Sequence, residues 1–121
     1  MLVPPVKTVE KPWGSEFWIA VTEQYALKII TFKAGQRGSL QYHEKKLEHI
    51  YIDAGRAKVE FAGPDGKLVT QICGPGTILE VKPGDLHRME ALEDLRLIEV
   101  SMPLLDDVVR VADDYGREPG Q

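Results

Sequence analysis

The chain has 121 residues, 43% hydrophobic and 28% charged, a length and balance suited to a single domain that buries its core without disulfide or metal staples. A formal net charge of -4, with both signs interspersed, excludes the basic face that nonspecific nucleic-acid binding needs. Cys73 is the only cysteine, which rules out an intramolecular disulfide and a cysteine-rich zinc module and fits a reducing cytoplasm.

Residues 1–12 carry prolines and charges where a signal peptide needs an unbroken apolar run, and no segment reaches membrane-spanning length. A soluble protein with no membrane partner is expected, its first twelve residues forming an N-terminal arm or edge strand. Short segments rich in β-branched and aromatic residues then predict strands over 16–21, 25–33, 39–43, 47–53, 56–62, 67–73, 77–81 and 95–101. Glycines and prolines punctuate them, with Gly63-Pro64-Asp65-Gly66 reading as a hairpin tip. Eight or so strands without a long amphipathic helix predict an all-β sandwich or barrel of jelly-roll type in one domain, 1–121. In the tail, Leu104, Leu105, Val108, Val109 and Ala112 fall near helical spacing, although an extended segment fits them equally, and 116–121 is expected to fray.

The strand period of two puts Ser39, Gln41 and His43 on one face, and a bend over 44–47 leads to Glu48. His87 arrives on a separate strand after the Pro83-Gly84 turn. Two imidazoles, an amide oxygen and a carboxylate suit one divalent transition metal. His49 has the opposite parity to Glu48 and is expected to point outward. Trp13 and Trp18 are expected to pack, Cys73 to be a small buried hydrophobe, and Glu90, Glu93, Asp94 and Arg96 to mark an exposed loop. Arg88 and Lys28 read either as solvated strand-face charges or, for Lys28, as a functional cation.

Gly35, Gln41, His43, Glu48 and Gly55, followed by Gly76, Gly84 and His87, fall at the spacing of the two cupin motifs, with Gln in place of the first histidine. The chain resembles more narrowly the isomerase domain of type II mannose-6-phosphate isomerases, often fused behind a mannose-1-phosphate guanylyltransferase. The resemblance is carried by KPWGSEF (11–17), SLQYH (39–43), EHIYIDAGRAKV (48–59), His87-Arg88, LIEV (97–100) and DDVVRVADDYGR (106–117). In that family Gln stands at position 41, so the departure from other cupins points to the subgroup. Glu44-Lys45 occupies the place of two family histidines, Lys28-Ile29 that of a Lys-Arg pair, and the segment between Val100 and Asp106 is shorter.

The resemblance implies a cupin jelly roll and a metal held by Gln41, His43, Glu48 and His87. Zinc is the first choice, with manganese, iron, cobalt or nickel as alternatives. It implies aldose-ketose isomerisation of mannose 6-phosphate to fructose 6-phosphate. Arg110 and Lys28 are its phosphate contacts and candidate catalytic cations, Ser39 a further substrate contact, and a homodimer the expected assembly. No general base is assigned. The alternatives are an iron-dependent cupin dioxygenase and a noncatalytic sugar or nucleotide-sugar binding module.

Overall fold

A computed structural model describes residues 1–117. It contains β1 (Lys7–Lys11), β2 (Gly14–Val21), β3 (Ala26–Phe32), β4 (Leu40–Tyr42), β5 (Glu48–Ala54) and β6 (Ala57–Ala62). These are followed by β7 (Leu68–Cys73), β8 (Ile78–Val81), β9 (His87–Ala91), β10 (Leu95–Ser101) and β11 (Val109–Ala112). One sheet runs β1-β2-β3-β10-β5-β8 and the other β11-β4-β9-β6-β7, with every pairing antiparallel.

The expected strands all form, within a residue or two at their ends, and residues 7–11 make the edge strand β1. The tail resolves in favour of the extended alternative. Val109–Ala112 pairs with β4, which satisfies its backbone groups in the sheet. The expected fraying of 116–121 falls largely outside the described residues. The 63–66 hairpin forms, with Gly66 at φ 79° and its N–H donating to the Gly63 carbonyl.

Three neighbouring strands share an inward pattern that positions everything else. Reading along the sheet interior, β3 presents Phe32, Ile30 and Lys28, β10 presents Leu95, Leu97 and Glu99, and β5 presents Ile52, Ile50 and Glu48, all buried. One end of the sandwich is therefore an apolar plug. Ala57, Val59, Met89 and Ala91 from the facing sheet complete it, with Trp13 stacked on Phe32 at 4.0 Å between ring centroids. The other end carries ionisable groups at the same inward parity. Charges are rarely buried without partners, so this end must supply its own counter-charges.

Candidate functional site

The bend over 44–47 is built by Asp107. Its carboxylate accepts the backbone N–H groups of Glu44, Lys45 and Lys46, each at 2.9 Å. Burial would raise the Asp107 carboxyl, but these donors hold it below its ordinary value. The bend turns Glu44 and Lys45 out to solvent and Lys46 inward, so the two positions where family histidines are replaced lie outside the cavity.

The same Asp107 fixes His43. Its carbonyl accepts from His43 Nδ1 at 2.6 Å, while the Asp85 carbonyl accepts from His87 Nδ1 at 2.9 Å. A carbonyl only accepts, so each ring carries its hydrogen on Nδ1 and turns Nε2 inward. His43 Nε2 lies 3.1 Å from Glu48 Oε1, and His87 Nε2 lies 3.6 Å from the same oxygen. Ligand atoms of the three side chains all fall within 4.8 Å of one another. Two inward-facing ring nitrogens and a carboxylate oxygen share one small space, an arrangement that fits a cation.

Gln41 joins this group through register. It is the Cα partner of His87 on one side and of Arg110 on the other, so the three form a cross-strand row over β9, β4 and β11. Ser39 donates its hydroxyl to Gln41 Oε1 at 2.7 Å. An amide oxygen has a second lone pair, so this bond orients Gln41 without closing it to a metal.

Around the group runs a cavity of about 280 Å³ lined by residues of both sheets. Burial would raise the Glu48 carboxyl, but the His43 hydrogen bond and Lys46, at 3.3 Å, hold it well below the carboxylate range. Burial lowers His87, with the Asp85 carbonyl and Glu48 acting against it, which favours the neutral ring a metal needs. Glu99 behaves oppositely. Full burial, with Glu48 adding to it, pushes this acid up to about 8, and Ser101 donates to its Oε2 at 3.2 Å.

Each expected site residue can now be placed. Ser39, Gln41, His43, Glu48, His87, Lys28 and Arg110 all line this one cavity. Lys28 is not a solvated charge: it is buried, 3.4 Å from Glu16 and over the Trp18 ring. Arg88 is likewise buried, donating to the carbonyls of Gly38 and Ala112, which corrects the solvated reading by the need to satisfy those two backbone groups. His49 faces out to Glu80 as parity required, and Cys73 is buried. Sequence reasoning missed Glu99, Lys46 and Lys11 as cavity residues. The signal for Glu99 was present, since it continues the inward parity of Leu95 and Leu97.

A two-sheet jelly roll with histidines and a glutamate gathered at one end of its interior is the architecture of a cupin. Solved structures agree on the fold. Oxalate decarboxylase from Bacillus subtilis matches with a TM-score of 0.74 at 21% identity over 87% of this chain and 30% of that one. KdgF from Halomonas sp. matches with a TM-score of 0.70 at 22% identity, covering 80% of this chain and 86% of that one. The family model described as mannose-6-phosphate isomerase C-terminal matches residues 4–113, and the chain belongs to that family. Among curated relatives, a mannose-1-phosphate guanylyltransferase of Escherichia coli strain K12 is 39% identical over 116 residues, 92% of this chain and 23% of that protein. The alginate biosynthesis protein AlgA of Pseudomonas aeruginosa is 32% identical over 114 residues, 90% of this chain and 23% of its own length. The chain thus spans about a quarter of the relatives it matches. Among the described residues, no helix is long and apolar enough to cross a membrane.

Proposed function

We propose that the chain is a metal-dependent aldose-ketose isomerase for a hexose phosphate, of the mannose 6-phosphate to fructose 6-phosphate type. Gln41, His43, Glu48 and His87 would hold one divalent ion, zinc by preference. The observation that carries this is the convergence of two Nδ1-anchored imidazoles on Glu48 Oε1 inside a cavity of a chain belonging to this family. When bound, the ion would act as a Lewis acid on the sugar oxygens at C1 and C2, where negative charge develops as a proton moves between those carbons. Ser39 orients Gln41, and Asp107 and Asp85 orient the two histidines. The apolar plug of Ile30, Ile50 and Leu97 closes the inner end of the cavity against water. Arg110 and Lys28, which both line the cavity, are the cations proposed for the phosphate.

The assembly is proposed to be a homodimer in the cytoplasm. In support, the outer face of the six-stranded sheet carries one row of apolar side chains, Phe17, Ile29, Ile98, Tyr51 and Ile78, across five strands.

The test is a coupled assay of mannose 6-phosphate and fructose 6-phosphate turnover with zinc, manganese, iron, cobalt and nickel in turn. Turnover that disappears in Arg110→Ala, at unchanged metal content, is expected. Binding of mannose 6-phosphate with no turnover under any metal would replace the isomerase by a sugar-binding module, and oxygen consumption under iron would replace it by a dioxygenase.

A further inference from the structure

The two oxygens of Glu48 face different partners. Oε1 lies 3.1 Å from His43 Nε2 and 3.6 Å from His87 Nε2, while Oε2 lies 3.3 Å from Lys46 Nζ. One oxygen is thus turned to the candidate ion and the other to an ammonium. A glutamate carboxylate turns freely about its last bond and binds cations through one oxygen or both, so something must hold this division in place.

Lys46 is anchored at both ends. Its backbone N–H donates to Asp107 Oδ2 at 2.9 Å, in the bend that turns Glu44 and Lys45 outward, and its side chain, only 10% exposed, lines the cavity. Lys46 and Glu48 flank the exposed Leu47, so the two share the inward parity of the chain entering β5. A surface lysine would hold little in place. A buried one, tied at its backbone two residues before the carboxylate, leaves its charge unpaired in a poorly solvated interior if it swings away.

We infer that Lys46 is a positioning residue for Glu48: it holds Oε2 and so presents Oε1 alone to the ion. That role rests on the proposed metal site and is independent of sugar turnover. A Glu48 that chelated with both oxygens would occupy one more position on the ion, a position an incoming substrate oxygen needs. The ammonium also shares the carboxylate's charge and repels a cation this close, so the ion is held less tightly and stays a stronger Lewis acid. Removing the ammonium therefore tightens metal binding, the opposite of what loss of a merely structural contact does.

The test loads the full chain with cobalt(II) as wild type, Lys46→Met, Lys46→Arg and Lys45→Met. Lys45 is exposed, so its variant removes the same charge outside the cavity. Chelator competition reads the affinity, and X-ray absorption at the cobalt edge tells one-oxygen from two-oxygen carboxylate binding. Lys46→Met is expected to bind cobalt about tenfold more tightly and to chelate it through both oxygens. Lys46→Arg and Lys45→Met are expected to match wild type in both readings. Unchanged or weaker affinity in Lys46→Met, or a carboxylate still bound through one oxygen there, overturns the role. Wild type alone also tests it, whether or not the Met variant folds, because chelation by both oxygens in wild type overturns it as well. The two ideas fail separately. A wild type that takes up no cobalt removes the ion site itself, whereas cobalt bound by wild type and indifferent to Lys46→Met removes only the part played by Lys46.

Discussion

Ser39 donates its buried hydroxyl to the side-chain oxygen of Gln41 at 2.7 Å, so the poorest donor of the proposed ligand set is aimed by a neighbour on the same strand face. Ser39→Ala is expected to fold normally and to bind zinc about tenfold more weakly, as loss of a ligand's supporting hydrogen bond commonly does. Competition against a zinc chelator reads the affinity. An unchanged value would show that Gln41 is not a ligand.

Glu48 serves Lys46 as well as the imidazoles. Lys46 is buried and its amine lies 3.3 Å from Glu48 Oε2; burial lowers its pKa, but Glu48, Glu99 and Glu16 together raise it by more. Glu48→Gln leaves that ammonium facing a neutral amide and is expected to lower stability by about 3 kcal/mol while abolishing metal retention. His87→Ala should also lose most of its metal but cost less stability, because His87 leaves no buried charge behind. Elemental analysis with urea unfolding separates the two effects, and stoichiometric metal in either variant would overturn the ligand assignment.

Asp107 is expected to matter to the fold before it matters to chemistry. Asp107→Ala removes the acceptor for three backbone N–H groups and should destabilise by about 2 kcal/mol. Hydrogen exchange should localise the change, with the amides of Glu44, Lys45 and Lys46 losing protection first. Uniform loss of protection across the sheets would contradict a local role.

Most of the scaffold was legible because its signals are local. Alternation gave the strands, Gly66 and its neighbours gave the hairpin, and the spacing of Gln41, His43, Glu48 and His87 marked those four side chains as a group. The illegible parts depend on contacts made across the chain. Val109–Ala112 carries an apolar pattern that serves helix or strand equally, and only pairing with β4 decides between them. Lys11 lines the same cavity as Arg110 and Arg117, about a hundred residues later in sequence, a shared lining no period reveals. Arg88 looks like a surface charge by residue type, yet the free carbonyls of Gly38 and Ala112 draw it inward. Glu99 was readable in principle, as an acid on the buried parity of its own strand.

Hydrogen bonds from Arg117 hold the Asp113 carboxyl down at about 2, outweighing the opposite effect of burial. Its unfolded value is about 3.9. A depressed carboxyl stabilises the fold fully above the unfolded pKa and ceases to do so as pH falls through the folded one. Asp113→Asn is therefore expected to be less stable than wild type at neutral pH, with the gap closing between about pH 4 and about pH 2. Urea midpoints across that range check it, and a gap independent of pH would show that the amide's packing, not the charge, is responsible.

The apolar row on the outer sheet marks where the proposed homodimer would be most vulnerable. Ile78 is 67% exposed and stands beside Tyr51, itself 41% exposed. Ile78→Lys is expected to convert a dimer to monomer in light scattering while leaving the metal content intact, since a buried unpaired ammonium is costly. A dimer that survives the change would move the interface elsewhere.

The position of Asp107 has a consequence for how the molecule is made. His43 and Glu48 leave the ribosome before the carbonyl that orients His43 and the carboxylate that ties down the bend, which both belong to Asp107, and before Arg110 and Arg117. A nascent chain can close most of its two sheets and still lack a finished pocket. Completion of the proposed metal site would therefore wait for Asp107, and a chain cut short after Ser101 would keep Gln41, His43, Glu48 and His87 but lose the carbonyl that orients His43 and the carboxylate that ties down the bend.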